Sequence, residues 1–292
     1  LLMNLELLER ILQSSRLPSL PTIAIEVIGL AQQDDVNLKQ IAQTIQHDPA
    51  LSSKLLKTVN SSFYGRPKTI GTINQALIVL GLNSVKTLAL GFSLVGNLQE
   101  AGGQGFNHFG FWKRSVFTAV ASRSIARQAG VAQQEEAFLG GLMQDIGMMV
   151  MSQVLGESYL ELLQETDGNH QQLVEIERQK IDMDQGEVDD VLAKKWKLPS
   201  LLVDLIRCHE QQEPVSLDDP VLKVVRCVYL GNRIADVFMD VLPGQSMASY
   251  HRLMEQWFGI DKEKSQTILS QIHQTTIEMK KLFLFLFLLF TL

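Results

Sequence analysis

Three polar residues in apolar surroundings carry groups that could take part in chemistry. Asp145 lies between Gln144 and Ile146 in an apolar stretch, and His209 and Glu210 are adjacent further along the chain. Carboxylates and imidazoles bind divalent metals and transfer protons. A carboxylate in an apolar helix also persists when it is paired with a cation. For His209 and Glu210, the sequence favours an exposed helix end, with a residual polar site as the alternative.

A second polar group follows a predicted helix. It consists of Asn60, Ser61, Ser62 and Tyr64, just before the sequence Gly65-Arg-Pro. Asparagine and serine side chains hydrogen-bond to nearby backbone, which favours a turn at this position. The alternative interpretation is a loop that binds a partner.

The charge balance argues against nucleic acid as a partner. The 292 residues are 46% hydrophobic and 20% charged, and 26 Lys and Arg against 32 Asp and Glu give a net charge of −6. Such a chain has no global positive field to attract nucleic acid. Residues 38–57 resemble a helix-turn-helix, but the second helix offers only Lys54 and Lys57. Packing of paired helices explains this segment, and a DNA-binding regulator is the weaker alternative.

Cysteine use and the N-terminus favour a reducing cytoplasm. Only Cys208 and Cys227 are present, without CxxC spacing, and no basic region with a long apolar run opens the sequence. The apolar run of residues 282–292 is about half of the roughly 20 residues that a spanning helix needs. It is interpreted as a truncated anchor, as a strand or helix buried against the body or a partner, or as non-native sequence. We expect neither a membrane span nor a loss of fold on its deletion.

Helical signals recur along the chain, and alternating strand patterns are scarce, so the fold class is predicted to be all-α, a multi-helical bundle. Asp48 followed by Pro49, and Thr72 with Gly81, have the residue types of helix caps. The helices predicted after these are 83–92, 111–128, 135–154, 171–180, 187–196, 201–210, 220–239, 247–258 and 262–282.

The glycine-rich segment Ala101–Phe106 is the strongest break in the pattern, because glycine disfavours helix and strand alike. It places a boundary between an N-terminal helical subdomain, residues 1–105, and a second helical subdomain, residues 106–240. Residues 241–292 are predicted to form a C-terminal helical extension that ends in the apolar run.

Three stretches of the chain together resemble the HDOD domain family. They are Asp48–Leu51 and Leu55–Gly65 with Ile73–Gly81, Phe111–Ser115 with Ala137–Gly147, and Val191–Pro199 with Ile206–Glu210. The resemblance covers roughly residues 17–240. HDOD domains are similar to the HD-type phosphohydrolases, so the resemblance implies an HD-like helical bundle. In those enzymes a His, a His-Asp pair and a later Asp hold one or two divalent metals, which generate a nucleophilic water.

The residues that the resemblance aligns with these ligands have mostly lost that ability. The first His corresponds to Arg114, a permanent cation. The His-Asp pair corresponds to Gln144 and Asp145, and the final Asp to Asn232. Only Asp145 keeps its ligand type. We expect Arg114 and Asp145 to form an ion pair, since the family fold brings these positions together.

Accessory ligands of the family are also altered. One His corresponds to Gln185, and the first of a His-His pair corresponds to Cys208, which leaves His209. One carboxylate and one imidazole do not make a hydrolytic centre. The resemblance therefore implies no bound cofactor and no stoichiometric transition metal.

These observations predict a non-catalytic regulatory module of signal transduction that binds another protein, with a small ligand in the former metal pocket as an added option. The candidate pocket or partner-binding residues are Asn60, Tyr64, Arg114, Asp145, Gln185, His209 and Glu210. The alternative is a metal-dependent phosphohydrolase of nucleotides or cyclic dinucleotides that uses non-standard ligands. Homo-oligomerisation is left open.

Overall fold

The structure, a computed structural model, describes residues 4–14, 17, 20–31, 38–61, 64, 68–98, 101–212, 217–239 and 243–288. Throughout these residues the regular structure is helical, and no strand occurs among them, which confirms the all-α prediction. The helices are α1 Leu5–Gln13, α2 Thr22–Ala31, α3 Leu38–Gln46, α4 Pro49–Val59, α5 Ile73–Leu80, α6 Leu82–Leu98, α7 His108–Gln128, α8 Gln134–Met143, α9 Ile146–Leu155, α10 Glu157–Glu165, α11 His170–Ile181, α12 Gln185–Lys195, α13 Ser200–Cys208, α14 Asp219–Phe238, α15 Pro243–Phe258 and α16 Lys262–Leu288.

Helices α2 to α6 pack on one another near the N-terminus. The predicted caps are confirmed: the Asp48 side chain accepts a hydrogen bond from the Leu51 amide at 2.9 Å, and Thr72 accepts one from the Gln75 amide. Gly81 follows α5 with a φ of 85°, a conformation that favours glycine. These caps fix the register of α4 and α5.

Helices α7, α8 and α14 form the centre of the molecule, and α15 and α16 pack on α14 and α7. The central crossings depend on glycine. A Cβ atom on Gly231 would lie 2.2 Å from the Ser122 hydroxyl oxygen, and one on Gly141 would lie 3.0 Å from the Ala119 backbone. The three helices therefore approach closely, and α7 and α14 can direct polar side chains at the short turn after α8.

The single helix predicted over residues 135–154 is wrong, because the chain turns at Gln144 and Asp145 and forms α8 and α9 instead. Helix α12 contacts the start of α9 at this turn. The Gly147 amide donates to the Asp189 side chain of α12 at 2.6 Å, and a Cβ atom on Gly147 would lie 2.3 Å from the Gln185 carbonyl oxygen. Tertiary contacts thus override an apolar pattern that is continuous in sequence.

Two further features concern the chain ends. Helix α1 packs on α9, and the Asn4 amide donates to the Asp182 carbonyl oxygen at 3.2 Å, so the first helix lies against the central part of the molecule. At the other end, α16 continues to Leu288, and residues 289–292 of the apolar run lie outside the described residues. The subdomain limits stay a prediction.

Among the described residues, one helical stretch, Gln134–Leu155, passes a length and hydropathy criterion for crossing a membrane, and 78% of its apolar window is buried inside the protein. A core helix of a folded domain passes the same criterion.

Candidate functional site

A cluster of buried charged side chains lies where α9, α11 and α13 meet α7 and α14. Asp145 precedes α9, His170 begins α11 and His209 follows α13, and each offers a ligand atom within 4.8 Å of the others. All three side chains are buried. The structure therefore brings together one carboxylate and two imidazoles from separate segments, and this set is named the Asp-His-His cluster below.

Arg114 joins this cluster to a second acid. Its guanidinium donates to Asp145 Oδ2 at 2.9 Å, which confirms the predicted ion pair. A second nitrogen donates to Asp236 Oδ1 at 2.8 Å, a partner that the sequence did not predict. One guanidinium thus pairs with two buried carboxylates.

The predicted positions Gln144 and Asn232 form a hydrogen-bonded chain beside the cluster. Gln144 donates to Asp145 Oδ2 at 3.2 Å and to Asn232 Oδ1 at 3.0 Å. Asn232 in turn donates to Glu210 Oε1 at 2.7 Å, and the other Glu210 oxygen lies 2.9 Å from the Arg233 guanidinium. The two amides thus link the carboxylates of Asp145 and Glu210 through neutral hydrogen bonds.

His209 does not lie at an exposed helix end, so the favoured sequence interpretation is wrong for this residue. Its side chain is 1% exposed, and its Nδ1 lies 2.6 Å from the Ile206 carbonyl oxygen at the end of α13. Because a carbonyl only accepts, Nδ1 carries the hydrogen and donates. Glu210 is 21% exposed at its side chain and faces the cluster as well.

His170 is the residue that sequence reasoning missed. Its Nε2 lies 3.1 Å from Asp145 Oδ1 and 3.1 Å from Glu210 Oε1. Gln185, predicted at the position of an accessory histidine, places its amide nitrogen 3.0 Å from the same ring nitrogen. A sequence signal for the position of His170 did exist. Asn169 has the residue type of a helix cap, and it places His170 at the first position of α11.

The charges in the cluster shift the pKa values of its members. Burial alone would raise the pKa of Asp145, but the charges of His170 and Arg114 outweigh it and hold this pKa well below its ordinary value. Burial opposes the charged form of His170, yet Asp145 raises its pKa to about 10. His170 and Arg114 therefore stand as cations beside Asp145 when no metal is bound.

A second layer of buried acids supports α11 and α12. The Tyr159 hydroxyl donates to Glu177, and the other Glu177 oxygen accepts from the Gln185 amide at 2.9 Å. Burial raises the pKa of Glu177 to about 7 and that of Asp189 well above its ordinary value. These contacts hold the start of α12, where Gln185 lies beside His170, in position.

Two cavities reach the cluster from different sides. One, of about 340 Å³, is lined by Arg114, Asp145 and His170 together with Phe111 and Leu173. The other, of about 430 Å³, is lined by residues that include Gln185, His209 and Glu210. Each cavity thus borders part of the cluster.

The ligand set of the HD-type phosphohydrolases does not fit this site. Arg114, Gln144 and Asn232 supply a cation and two amides where three ligands are required, and the guanidinium already binds Asp145 Oδ2. A permanent cation cannot act as a ligand. A hydrolytic centre of that composition therefore has no support among these residues.

Asn60 and Tyr64 lie apart from the cluster contacts. Asn60 bonds to the Ile70 backbone through both its amide atoms, as a turn residue does. Tyr64 is buried, and its hydroxyl donates to Glu135 at 2.6 Å, while the Arg123 guanidinium lies 4.2 Å from the Tyr64 ring centroid. Ser62 and residues 65–67 of this segment lie outside the described residues.

Lys54, on the helix proposed for DNA recognition, is buried, and this burial lowers its pKa to about 8. This burial leaves little of the Lys54 side chain available to contact phosphate. The packing interpretation of residues 38–57 accounts for this position.

The sequence model of the HDOD domain matches residues 17–212. A protein of undescribed function from Treponema pallidum (strain Nichols) is 26% identical over 195 residues, which cover 66% of this chain and 37% of that protein. The chain thus spans just over a third of the length of this relative.

Solved structures share the fold. An HDOD domain protein of unknown function from Geobacter sulfurreducens superimposes with a TM-score of 0.74 at 19% identity, over 95% of this chain and 97% of that one. A candidate phosphohydrolase from Shewanella amazonensis SB2B gives a TM-score of 0.70 at 24% identity, over 94% and 97%. At these identities the likeness concerns the fold.

Proposed function

Because this chain belongs to the HDOD domain family, we propose that it is a cytoplasmic regulatory module of signal transduction that acts by binding another protein and performs no hydrolysis. Family membership supports the regulatory or signalling role. The absence of catalysis and the binding of a protein partner are the finer parts of the proposal.

The double ion pair of Arg114 carries the non-catalytic part. In a hydrolytic centre, carboxylate oxygens and imidazoles bind metal ions that activate water. Here the guanidinium takes one oxygen from Asp145 and one from Asp236, at 2.9 and 2.8 Å. Breaking this double pair should cost about 2–3 kcal/mol, so a catalytic metal would have to compete with it.

Exposed apolar side chains on neighbouring helices support the binding part. Ile25 on α2, Leu38 on α3 and Ile78 on α5 are 56%, 47% and 79% exposed, and α3 packs on both α2 and α5. Contiguous exposed apolar surface marks interaction sites in soluble proteins, and these three side chains are proposed to form one such surface. The partner is therefore proposed to bind the N-terminal helices, and the 340 Å³ cavity offers a place for a small ligand that tunes this binding.

Hydrolysis is tested first. Full-length protein purified without a tag is incubated with nucleotides and a cyclic dinucleotide in Mn²⁺ or Mg²⁺, and phosphate or linear product is measured. We expect no turnover above a protein-free control. Turnover that disappears in Asp145→Asn would contradict the proposal and favour the phosphohydrolase alternative.

A restored variant makes a negative result informative. The substitutions Arg114→His, Gln144→His and Asn232→Asp return the ligand types that the resemblance implies. We expect this variant to bind Mn²⁺ more tightly than the wild type, because the helices still direct the three positions at one pocket. Unchanged affinity would mean that these positions do not form one ligand set.

The binding part is tested with a surface variant. Proteins captured from the native cell by the wild type are compared with those captured by Ile78→Asp, and Ile277→Asp on α16 is the matched control because Ile277 is also exposed. We expect a partner lost only with Ile78→Asp. Equal capture by all three proteins would remove this surface from the proposal.

A further inference from the structure

We propose that a groove beside α1 binds an amphipathic helix of a partner protein, and that the polar face of this helix is basic. The groove has a volume of about 820 Å³, which exceeds that of either cavity at the Asp-His-His cluster. Its described lining comes from α1, the end of α9, α10 and the end of α11, and not from α2, α3 or α5. It is named the α1 groove below, and it goes beyond the surface of the proposed function.

The deepest part of the α1 groove is apolar. Leu7 of α1 and Leu162 of α10 line it and are buried. Leu155 and Ile181 line it as well and are partly buried in the main core. An apolar floor between helices is the surface that a helix with one apolar face covers, because side chains three and four positions apart point into it.

Helix α1 itself shows that this part of the molecule accepts an amphipathic helix. Its side chains Leu7, Leu8 and Ile11 are buried, and it packs on α9. The Asn4 side-chain amide donates to the Ile181 carbonyl oxygen at 3.2 Å and fixes the start of the helix. The opposite side of α1 is exposed and forms one wall of the groove, so a second helix can lie alongside it.

The walls of the α1 groove carry an excess of negative charge. Lys180 bonds to Glu165 at 2.6 Å, so its charge is largely offset. Lysine or arginine on either side of the apolar face of a bound helix would complement these walls, whereas an acidic helix would be repelled. The charged side chains that line the groove are four exposed acids and two cations, namely Glu6, Glu9, Glu161, Asp182, Arg10 and Lys180.

Charge alone does not define the partner. Exposed carboxylates attract any cation over about 8 Å at physiological ionic strength, and the whole chain has a net charge of −6. The apolar floor adds the second requirement, since it is covered only by a helix whose apolar side chains lie on one face. A basic peptide without such a face should therefore bind more weakly.

The test measures the binding of designed peptides to the full-length protein by fluorescence anisotropy. Three labelled peptides of about 15 residues are compared, a length at which an isolated helix begins to form in water. The first is an amphipathic helix of leucine and lysine. The second has the same composition in an order that removes the apolar face, and the third is the amphipathic helix with glutamate in place of lysine.

One variant blocks the α1 groove without changing its charge. Ser158 is exposed and lines the groove, so Ser158→Trp fills part of it. The matched control is Ser270→Trp on α16, because Ser270 is also exposed and its hydroxyl, like that of Ser158, donates to a nearby backbone carbonyl. Urea unfolding establishes that both variants are folded.

A second variant reverses charge on two walls of the groove. Glu6→Lys with Glu161→Lys is compared with Glu255→Lys and Glu263→Lys, which make the same change of net charge at exposed positions of α15 and α16. We expect the leucine-lysine helix to bind the wild type and both controls saturably, with one peptide per chain. Ser158→Trp and the double variant of the groove should each weaken this binding by at least about tenfold.

The other two peptides should bind the wild type at least about tenfold more weakly than the leucine-lysine helix. The proposal is overturned if the wild type does not bind this helix saturably, or if Ser158→Trp binds it as tightly as Ser270→Trp does. Equal binding of the reordered peptide would mean that the groove attracts charge alone, and unchanged affinity in the double variant of the groove would exclude a basic partner. These titrations involve neither hydrolysis nor Ile78, so a failure here is separate from a failure of the proposed function.

Discussion

The molecule contains two buried ionic clusters that differ in how completely their polar atoms are paired. In the first, which we call the closed cluster, Arg123 bonds to Glu135 through two nitrogens at 3.0 Å, and Tyr64 donates to the other oxygen of Glu135. In the Asp-His-His cluster, Asp145 Oδ1 contacts the charged His170 at 3.1 Å, but His209 Nε2 is buried without a hydrogen-bond partner among the described residues.

This difference in pairing indicates a structural role for the closed cluster and a ligand-binding role for the Asp-His-His cluster. A fully paired buried charge holds its elements in one arrangement, here the segment after α4 against α7 and α8. A cluster with unpaired atoms and two adjoining cavities has the capacity to take a ligand. Burial and charge alone do not distinguish the two.

The largest effect on stability is expected from removing the arginine of the closed cluster. Arg123→Met leaves Glu135 buried with only the Tyr64 hydroxyl, so the free energy of unfolding should fall by about 3–5 kcal/mol. Urea unfolding followed by circular dichroism measures it. A loss below about 1 kcal/mol would mean that Glu135 finds water or another partner and that this cluster is not structural.

The matched substitution in the Asp-His-His cluster should lower the free energy of unfolding by less. Arg114→Met removes one partner from Asp145 and one from Asp236, but His170 stays 3.1 Å from Asp145 and Arg233 lies 3.6 Å from Asp236. We expect a loss of about 2–3 kcal/mol in EDTA by the same measurement. A loss as large as that of Arg123→Met would remove the distinction between the clusters.

Much of this distinction could not be predicted from sequence. The family motifs and the residue types at Arg114 and Asp145 predicted their ion pair, and cap chemistry predicted α4 and α5. Asp236 was missed because nothing in a helical pattern reveals which acid on α14 turns inward. His170 was missed because it lies beyond a loop, and a buried histidine at a helix start looks like a surface one in sequence. The break before α9 depends on the hydrogen bond that the Gly147 amide donates to Asp189, and Asp189 is more than 40 residues away in sequence.

A smaller effect concerns pH and the second layer around His170. In the folded protein the pKa of Glu177 is raised to about 7 from about 4.5. Protonated Glu177 therefore favours the folded state: this contribution to the free energy of unfolding is fully present below pH 4.5 and is lost as the pH rises through 7. Urea unfolding in EDTA at pH 5 and pH 7.5 should show wild-type stability falling by about 1–2 kcal/mol more than that of Glu177→Gln.

The control for this experiment is Glu165→Gln, because Glu165 lies half exposed in a pair with Lys180. This variant should keep the wild-type dependence on pH. Asp189, whose pKa is also raised by burial, leaves a remaining slope of the same sign in Glu177→Gln. An unchanged slope in Glu177→Gln would mean that this carboxyl does not titrate between pH 5 and pH 7.5.

The smallest effect is expected from deleting the apolar run of residues 282–292. A chain that ends at Lys281 should keep its free energy of unfolding within about 0.5 kcal/mol and should fractionate like the full chain. A drop of several degrees in melting temperature would mean that the run is part of the core. Pelleting of the full chain alone, resistant to salt and carbonate, would identify it as an anchor.

The glycine crossings at the centre have a consequence for motion. Gly231 of α14 and Gly141 of α8 both lie against the Ser122 hydroxyl and the backbone of α7, so these helices have little room to change their crossing angles. These three helices should exchange their amide hydrogens slowest and move as one rigid body.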